Sequence, residues 1–294
     1  MNIIRTRGHK VFLVFNYILL FLMAALCIFP ILHVLALSMS TSAAASSGKV
    51  VIFPVDFNLN SYRYVIENNA FVRAFGISVL RVALGVPINM LMTILAAYPL
   101  SRSKSQFRAK GIFTWFFIIT ILYGGGLIPW YMIIRETGLL NSIWALVIPG
   151  AVPVFNVILL INFFRGIPGE LEEAAYMDGA GHGRILWSIF LPLSIPTLAT
   201  VTLFSLLGHW NAWFDGLILM NDTSKYPLQS YMQTIVISRD PTTLTVRDLE
   251  LLKIINERTT KSAQLFIAMI PIICIYPFLQ RYFTTGLVLG GIKG

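Results

Sequence analysis

Charged residues are scarce in this sequence: they make up 12% of 294 residues, while hydrophobic ones make up 56%. A soluble domain carries about 25% charged residues, so too little polar sequence remains here to cover a soluble core of this size. The mean hydropathy of +0.75 agrees with a bilayer as the main solvent. Cysteine is nearly absent as well. Cys27 and Cys274 both fall in apolar segments, which excludes a disulfide framework and a CxxC metal site and leaves ordinary apolar packing as the expectation for both. A phosphate loop of the form GxxxxGK followed by Ser or Thr is missing, so this chain should not bind ATP itself. Alternating strands of about ten residues, the mark of a membrane barrel, are missing too. His9, His33, His182 and His209 are isolated in sequence and lack ligand spacing. No catalytic residue and no metal site is therefore expected.

What the sequence does have is long apolar runs. Six stretches carry no Asp, Glu, Lys or Arg: 11–48 (apolar to about Leu37), 82–101, 111–134, 137–164, 185–214 and 262–280. Roughly 18 such residues suffice to cross a bilayer as a helix, and helices satisfy their own backbone polar groups there. The fold class expected is an all-α membrane protein with six transmembrane helices. The first run, Val11–Leu37, is 27 residues long, beyond the roughly 7–15 of a secretory signal core, and reads as an uncleaved first span.

Basic residues near span ends set orientation. Arg5, Arg7 and Lys10 precede the first span, and Arg102, Lys104, Arg108 and Lys110 follow the second, with no acid in either segment. Both segments are placed in the cytoplasm, as are loop 165–184 and the C-terminus, while loop 215–261, with six acids and six bases, is placed outside. The net charge of +9 is then a topology signal; its scatter along membrane borders speaks against nucleic acid as a partner. Gly124-Gly125-Gly126 and Pro129 should end the third span early, leaving 130–134 as a short interfacial helix or, alternatively, as re-entrant backbone lining a pathway.

The segment 165–192 is the most informative. Pro168 suits the first turn of a helix, Glu170, Glu172 and Glu173 suit its positive end, and Gly179 suits its termination. The expectation is a short helix outside the bilayer, with Ala174 and Ala175 offering a low surface for close approach by another protein. Glu173-Ala174-Ala175, three residues, Gly179, nine residues, Ile189, one residue, Leu191-Pro192 matches the EAA loop of ABC-importer permeases at every position. Ala97-Tyr98-Pro99-Leu100-Ser101-Arg102, Gly126-Leu127-Ile128-Pro129 with Gly138-Leu139-Leu140-Asn141-Ser142, and Trp210-Asn211 resemble further motifs of that family. Over about residues 65–290 the sequence resembles carbohydrate permeases of the MalG type, and within them the LplC-like group of oligosaccharide and polysaccharide-fragment uptake. Ile77-Ser78-Val79 departs from the Asn-Ser-Leu of many relatives.

The resemblance implies a type I ABC importer permease fold, with a core permease domain over 73–294 behind an N-terminal segment, first span and outer loop over 1–72. It implies a bacterial inner-membrane location and partners: an ABC ATPase dimer that holds ATP and magnesium, a second homologous permease and an extracytoplasmic substrate-binding protein. Membrane lipid surrounds the assembly, and this chain binds no cofactor. In the family the EAA helix docks on the ATPase. Carried over, Glu173 is a polar anchor, Ala174 and Ala175 give close fit, Gly179 makes the turn, Leu191-Pro192 re-enters the bilayer, and Asp178 belongs to the same coupling surface. The alternative is a loop that packs only on its own bundle.

Polar residues inside spans are functional candidates. Ser205, His209, Trp210, Asn211 and Trp213 in the fifth span are candidates for a substrate pathway, with Asn89 in the second and Asn156 and Asn162 in the fourth as weaker ones. Ser205 and His209 share a helix face, which Asn211 does not. Interhelical hydrogen bonding and interfacial anchoring by Trp are the other reading of the same residues. A secondary, ion-coupled solute transporter is the alternative function; it should show buried acids, and none lies in the six stretches.

Overall fold

The computed structural model describes residues 7–237 and 257–290, and among them every regular element is helical. The part of the predicted outer loop over 238–256 and the basic residues Arg5 and Lys293 lie outside the described residues. Three helices are long and apolar enough to cross a membrane: α1 (Arg7–Ser38), α4 (Asn69–Ser101) and the last, α13 (Glu257–Gly290). Three bent helix pairs pass the same test together, giving six spans if each pair is one. The described residues fall into two compact units. One takes those up to Val72 and the last helix as far as Pro271; the other takes the rest from Arg73, with the last helix from Ile272.

In the first unit α1 is exposed along most of its length, and burial begins near its end with Ala36 and Leu37. These pack with Ala44 and Ala45 of the short α2 (Ser42–Ser46) and with Val50. His33 Nδ1 lies 2.7 Å from the Val51 carbonyl, and Ser38 Oγ lies 2.7 Å from the Tyr62 hydroxyl on α3 (Asn60–Glu67). Burial raises the Tyr62 pKa above the usual phenol value. Cys27 and Cys274 are both free and exposed on the apolar surface of their helices.

The second unit is where the bends occur. α4 starts thirteen residues before the uncharged stretch at 82 does, because Arg73 and Arg81 are helical rather than boundary residues. α5 (Lys110–Leu122) and α6 (Leu127–Glu136) meet at 117°. Gly125 and Gly126 at the elbow have φ of 67° and 88°, a region glycine enters freely and other residues avoid. The early end of the third span expected at Gly124–Gly126 is thus observed. Two 3₁₀ turns over Ile143–Gly150 lead into α7 (Val154–Arg165) at 42°, where Pro149 and Pro153 interrupt the chain.

After α8 (Gly169–Met177), α9 (His182–Leu193) contains a π turn at Leu186–Phe190. Pro192 follows it and cannot donate a helix bond, so a widened turn accommodates the missing link. α9 then meets α10 (Ile195–Asn211) at 83°, with Pro196 in the first turn of α10. The stretch 185–214, expected to hold the fifth span, is therefore two helices that together make one bent span. α11 (Phe214–Leu219) and α12 (Leu228–Ile237) complete the unit. Ser78 accepts a 2.7 Å bond from the Leu228 N–H, so the serine of the departing Ile-Ser-Val segment helps hold the start of α12.

Candidate functional site: a polar cavity and a coupling helix

The polar side chains of the spans converge on one cavity of about 370 Å³. Arg81 and Asn89 from α4, Asn156 from α7, Ser205 and His209 from α10, and Asp215 from α11 all line it. Asn156 donates to Ser205 at 3.1 Å. The Asn89 amide, with its nitrogen turned to the carbonyls, donates to Gly85 at 3.1 Å and Gly150 at 3.3 Å. Gly85 matters for width: a Cβ there would lie 2.4 Å from His209 Nε2, so α4 and α10 approach closely only because that position has no side chain.

Asp215, one residue beyond the uncharged stretch 185–214, reaches the cavity although no acid lies within the stretches themselves. Arg81 Nη1 donates to Asp215 Oδ1 at 3.1 Å, Nη2 donates to Oδ2, and Nη1 also reaches the Ala212 carbonyl at 3.5 Å. The Arg81 side chain is 4% exposed and its Nε has no partner among the described residues. A carboxylate held by two arginine nitrogens is neutralised where it stands, unlike the free acid that a proton-coupled carrier needs.

A second, larger cavity of about 580 Å³ shares Trp130, Gly208 and Asp215 with the first and adds Gly124, Gly126, Asn211 and Trp213. Ser205, His209 and Asn89 therefore meet in one cavity, Asn211 faces the other, and Trp210 lines neither. Trp210 is buried edge-on against Phe75, with ring centroids 5.6 Å apart. Asn162 is exposed. Sequence reasoning missed Arg81 and Asp215, while Trp213, read with the fifth span, does line the larger cavity. The only signal for the first was a lone basic residue one position before an uncharged stretch.

At the other end of the unit, α8 emerges as the short helix expected. Pro168 precedes its first turn, and Glu170 and Glu172 lie in that turn. Its end is a Schellman closure: Ala180 N–H donates to Ala175 at 2.9 Å and Gly179 N–H to Tyr176 at 3.0 Å, with Gly179 at φ +74°. That geometry favours glycine over any L residue. Glu173, Ala174, Asp178 and Gly179 are exposed, while Ala175 turns inward against the core. Leu191 is buried in that core and Pro192 is exposed beside it.

The inward face of α8 carries residues the motif did not single out. Glu172 pairs with Arg102 and accepts from the Tyr176 hydroxyl at 3.2 Å. Tyr176 O also lies 2.9 Å from His182 Nδ1. With its proton given to Glu172, the hydroxyl leaves His182 to donate from Nδ1. Burial and then the Glu172 carboxylate raise the Tyr176 pKa, which keeps it a donor at neutral pH.

The all-helical fold and its apolar helices define a membrane-embedded transport subunit. The chain belongs to the family of binding-protein-dependent transport system inner membrane components, which it matches over residues 64–288. It is a permease of the ABC transporter class and not an enzyme. It is 37% identical over 289 residues to protein LplC of Bacillus subtilis (strain 168), covering 98% of this chain and 97% of that protein. It is 35% identical over 282 residues to the polygalacturonan/rhamnogalacturonan transport system permease protein YtcP of the same organism, covering 96% and 97%. Among solved structures it is similar to a chain of a bacterial ABC transporter involved in the import of the acidic polysaccharide alginate. That match has a TM-score of 0.86 and 30% identity, and it covers 95% of this chain and 98% of that one. The resemblance to carbohydrate ABC permeases read from the motifs is borne out.

Proposed function

We propose that this chain is one of two membrane-spanning subunits of an importer for a sugar, oligosaccharide or polysaccharide fragment. A separate ATPase dimer binds ATP and magnesium, and an extracytoplasmic binding protein delivers the substrate. The observation that carries the saccharide reading is similarity over nearly the whole chain to permeases named for oligo- and polysaccharide uptake. Segment 165–192 is the coupling loop: α8 presents Glu173, Ala174 and Asp178 outward and closes on Gly179, the surface a groove on an ATPase would receive. Ser205, His209, Asn89 and Asn211 line the two cavities and belong to the substrate pathway. The chain spans the bacterial inner membrane with both termini in the cytoplasm.

Two experiments test this. Glu173→Lys puts the wrong charge in the groove and leaves a partner unpaired, at about 2–5 kcal/mol; Gly179→Leu strains a residue at φ +74°. Both abolish import in proteoliposomes while the complex still co-purifies. Normal import in both variants at normal expression overturns the coupling assignment. For topology, cysteines placed at the exposed Ser103 and Thr223 react from opposite sides of sealed cells; reaction from one side refutes the arrangement.

A further inference from the structure

Arg102 is the first residue beyond α4, and its surroundings are built. Its guanidinium carbon lies 4.6 Å from the Tyr98 ring centroid and 4.1 Å from that of Phe190. Tyr98 belongs to α4 and Phe190 to the π turn of α9, and their rings pack at 5.4 Å, edge to face. Phe164 of α7 closes the cluster, 5.4 Å from Phe190 and 6.4 Å from Tyr98. The Arg102 side chain is 7% exposed and pairs with Glu172 of α8, itself 12% exposed. Lys110 Nζ donates to the Arg102 carbonyl, tying down the backbone as well. A planar cation against two aromatic rings, with a carboxylate partner, uses the properties that distinguish arginine from lysine.

We infer that Arg102 is a positioning residue of the transport cycle: it clamps α8 to the end of α4, so that force received by α8 is delivered to the helix that lines the polar cavity. This rests on segment 165–192 being the coupling loop. α8 also packs Ala175 on the core and joins Tyr176 to Glu172 and to His182 of α9. α4 is continuous from Asn69 to Ser101. At 1.5 Å per residue, Arg102 and Arg81 lie about 30 Å apart along it, and Arg81 grips Asp215 in the cavity wall. One helix thus carries an ion pair to the coupling element at one end and another to the cavity at the middle. Coupling over such a distance needs a connected element that both sites bias, and α4 is the one the ion pairs join.

The test uses the complex purified from native membranes through a tag on this chain. Arg102→Gln, Glu172→Gln, Arg102→Lys and the double variant Arg102→Gln/Glu172→Gln are compared with Lys104→Gln, which removes an exposed charge two residues away. The readout is saccharide imported per ATP hydrolysed in proteoliposomes. Arg102→Gln and Glu172→Gln lower that ratio about tenfold, Arg102→Lys by less, and the double variant by no more than the worse single one, because the pair acts as a unit. Lys104→Gln leaves it unchanged. Amide exchange over 169–177 in the same complexes rises in Arg102→Gln and Glu172→Gln. An unchanged ratio or unchanged exchange in both single variants overturns the inference, as does a parallel fall of import and hydrolysis at constant ratio. If Gly179→Leu and Glu173→Lys are uncoupled but Arg102→Gln and Glu172→Gln are not, the clamp alone fails. If none of the four is uncoupled, the coupling-loop reading fails with it.

Discussion

Arg81 within α4 and Arg102 just past its end hold carboxylates in opposite surroundings. Arg81 sits in a polar cavity among amides, a hydroxyl and an imidazole; its Nε has no partner among the described residues, and its Asp215 side chain is 20% exposed. Arg102 sits against the Tyr98 and Phe190 rings, and its Glu172 takes a further bond from Tyr176. The chemistry of the pair is the same, but one is under-satisfied and open to a cavity while the other is packed against two rings. The first suits a contact that opens and closes as the pathway changes; the second suits one that persists through the cycle.

That contrast can be broken by mutation. The largest effect is expected from Asp215→Ala, which leaves Arg81 nearly buried and uncompensated at a cost of about 3–5 kcal/mol; the thermal unfolding midpoint of the detergent-solubilised complex falls most for this variant. Glu172→Ala leaves Arg102 with its aromatic partners, so the loss is that of a charged hydrogen bond, about 1.5–3 kcal/mol. A larger drop in the midpoint for Glu172→Ala than for Asp215→Ala refutes the comparison. Smallest is Ser205→Ala, which removes the 3.1 Å bond from Asn156. Interhelical bonds of this kind in membranes are worth about 0.6 kcal/mol, so the midpoint barely moves and any transport defect reports on the cavity itself.

The spans were legible because a bilayer demands long uncharged runs, and α8 was legible because a proline, a first-turn acid and a glycine each act locally. Gly179 could be assigned a positive φ from one residue's lack of a Cβ, and Gly124–Gly126 an elbow for the same reason. The ion pairs were not legible. Arg81 and Arg102 looked like markers of span ends, since charge alone says where a helix leaves lipid and not which way the side chain turns. Their partners lie 134 and 70 residues away, a separation that no local pattern encodes. The break at Ser194 was missed although Pro192 and Pro196 flank it, because both lie inside an uncharged run that hydropathy reads as one span. Trp213, not Trp210, faces a cavity; the ring that turns outward depends on where α10 ends, at Asn211.

One feature of the first unit bears on how this chain tolerates change. From Gly8 to Leu32 nearly every residue of α1 is exposed, and burial by the chain's own residues starts at His33. The helix, 32 residues and about 48 Å long, is therefore judged by two different surroundings. Before His33 a substitution answers to lipid or to a neighbouring subunit, where one apolar residue serves about as well as another. After it, the space left by Ala44, Ala45 and Val50 decides, and size begins to count. Random mutagenesis should show the change of rule in mid-helix, with apolar swaps accepted freely on one side and small residues required on the other.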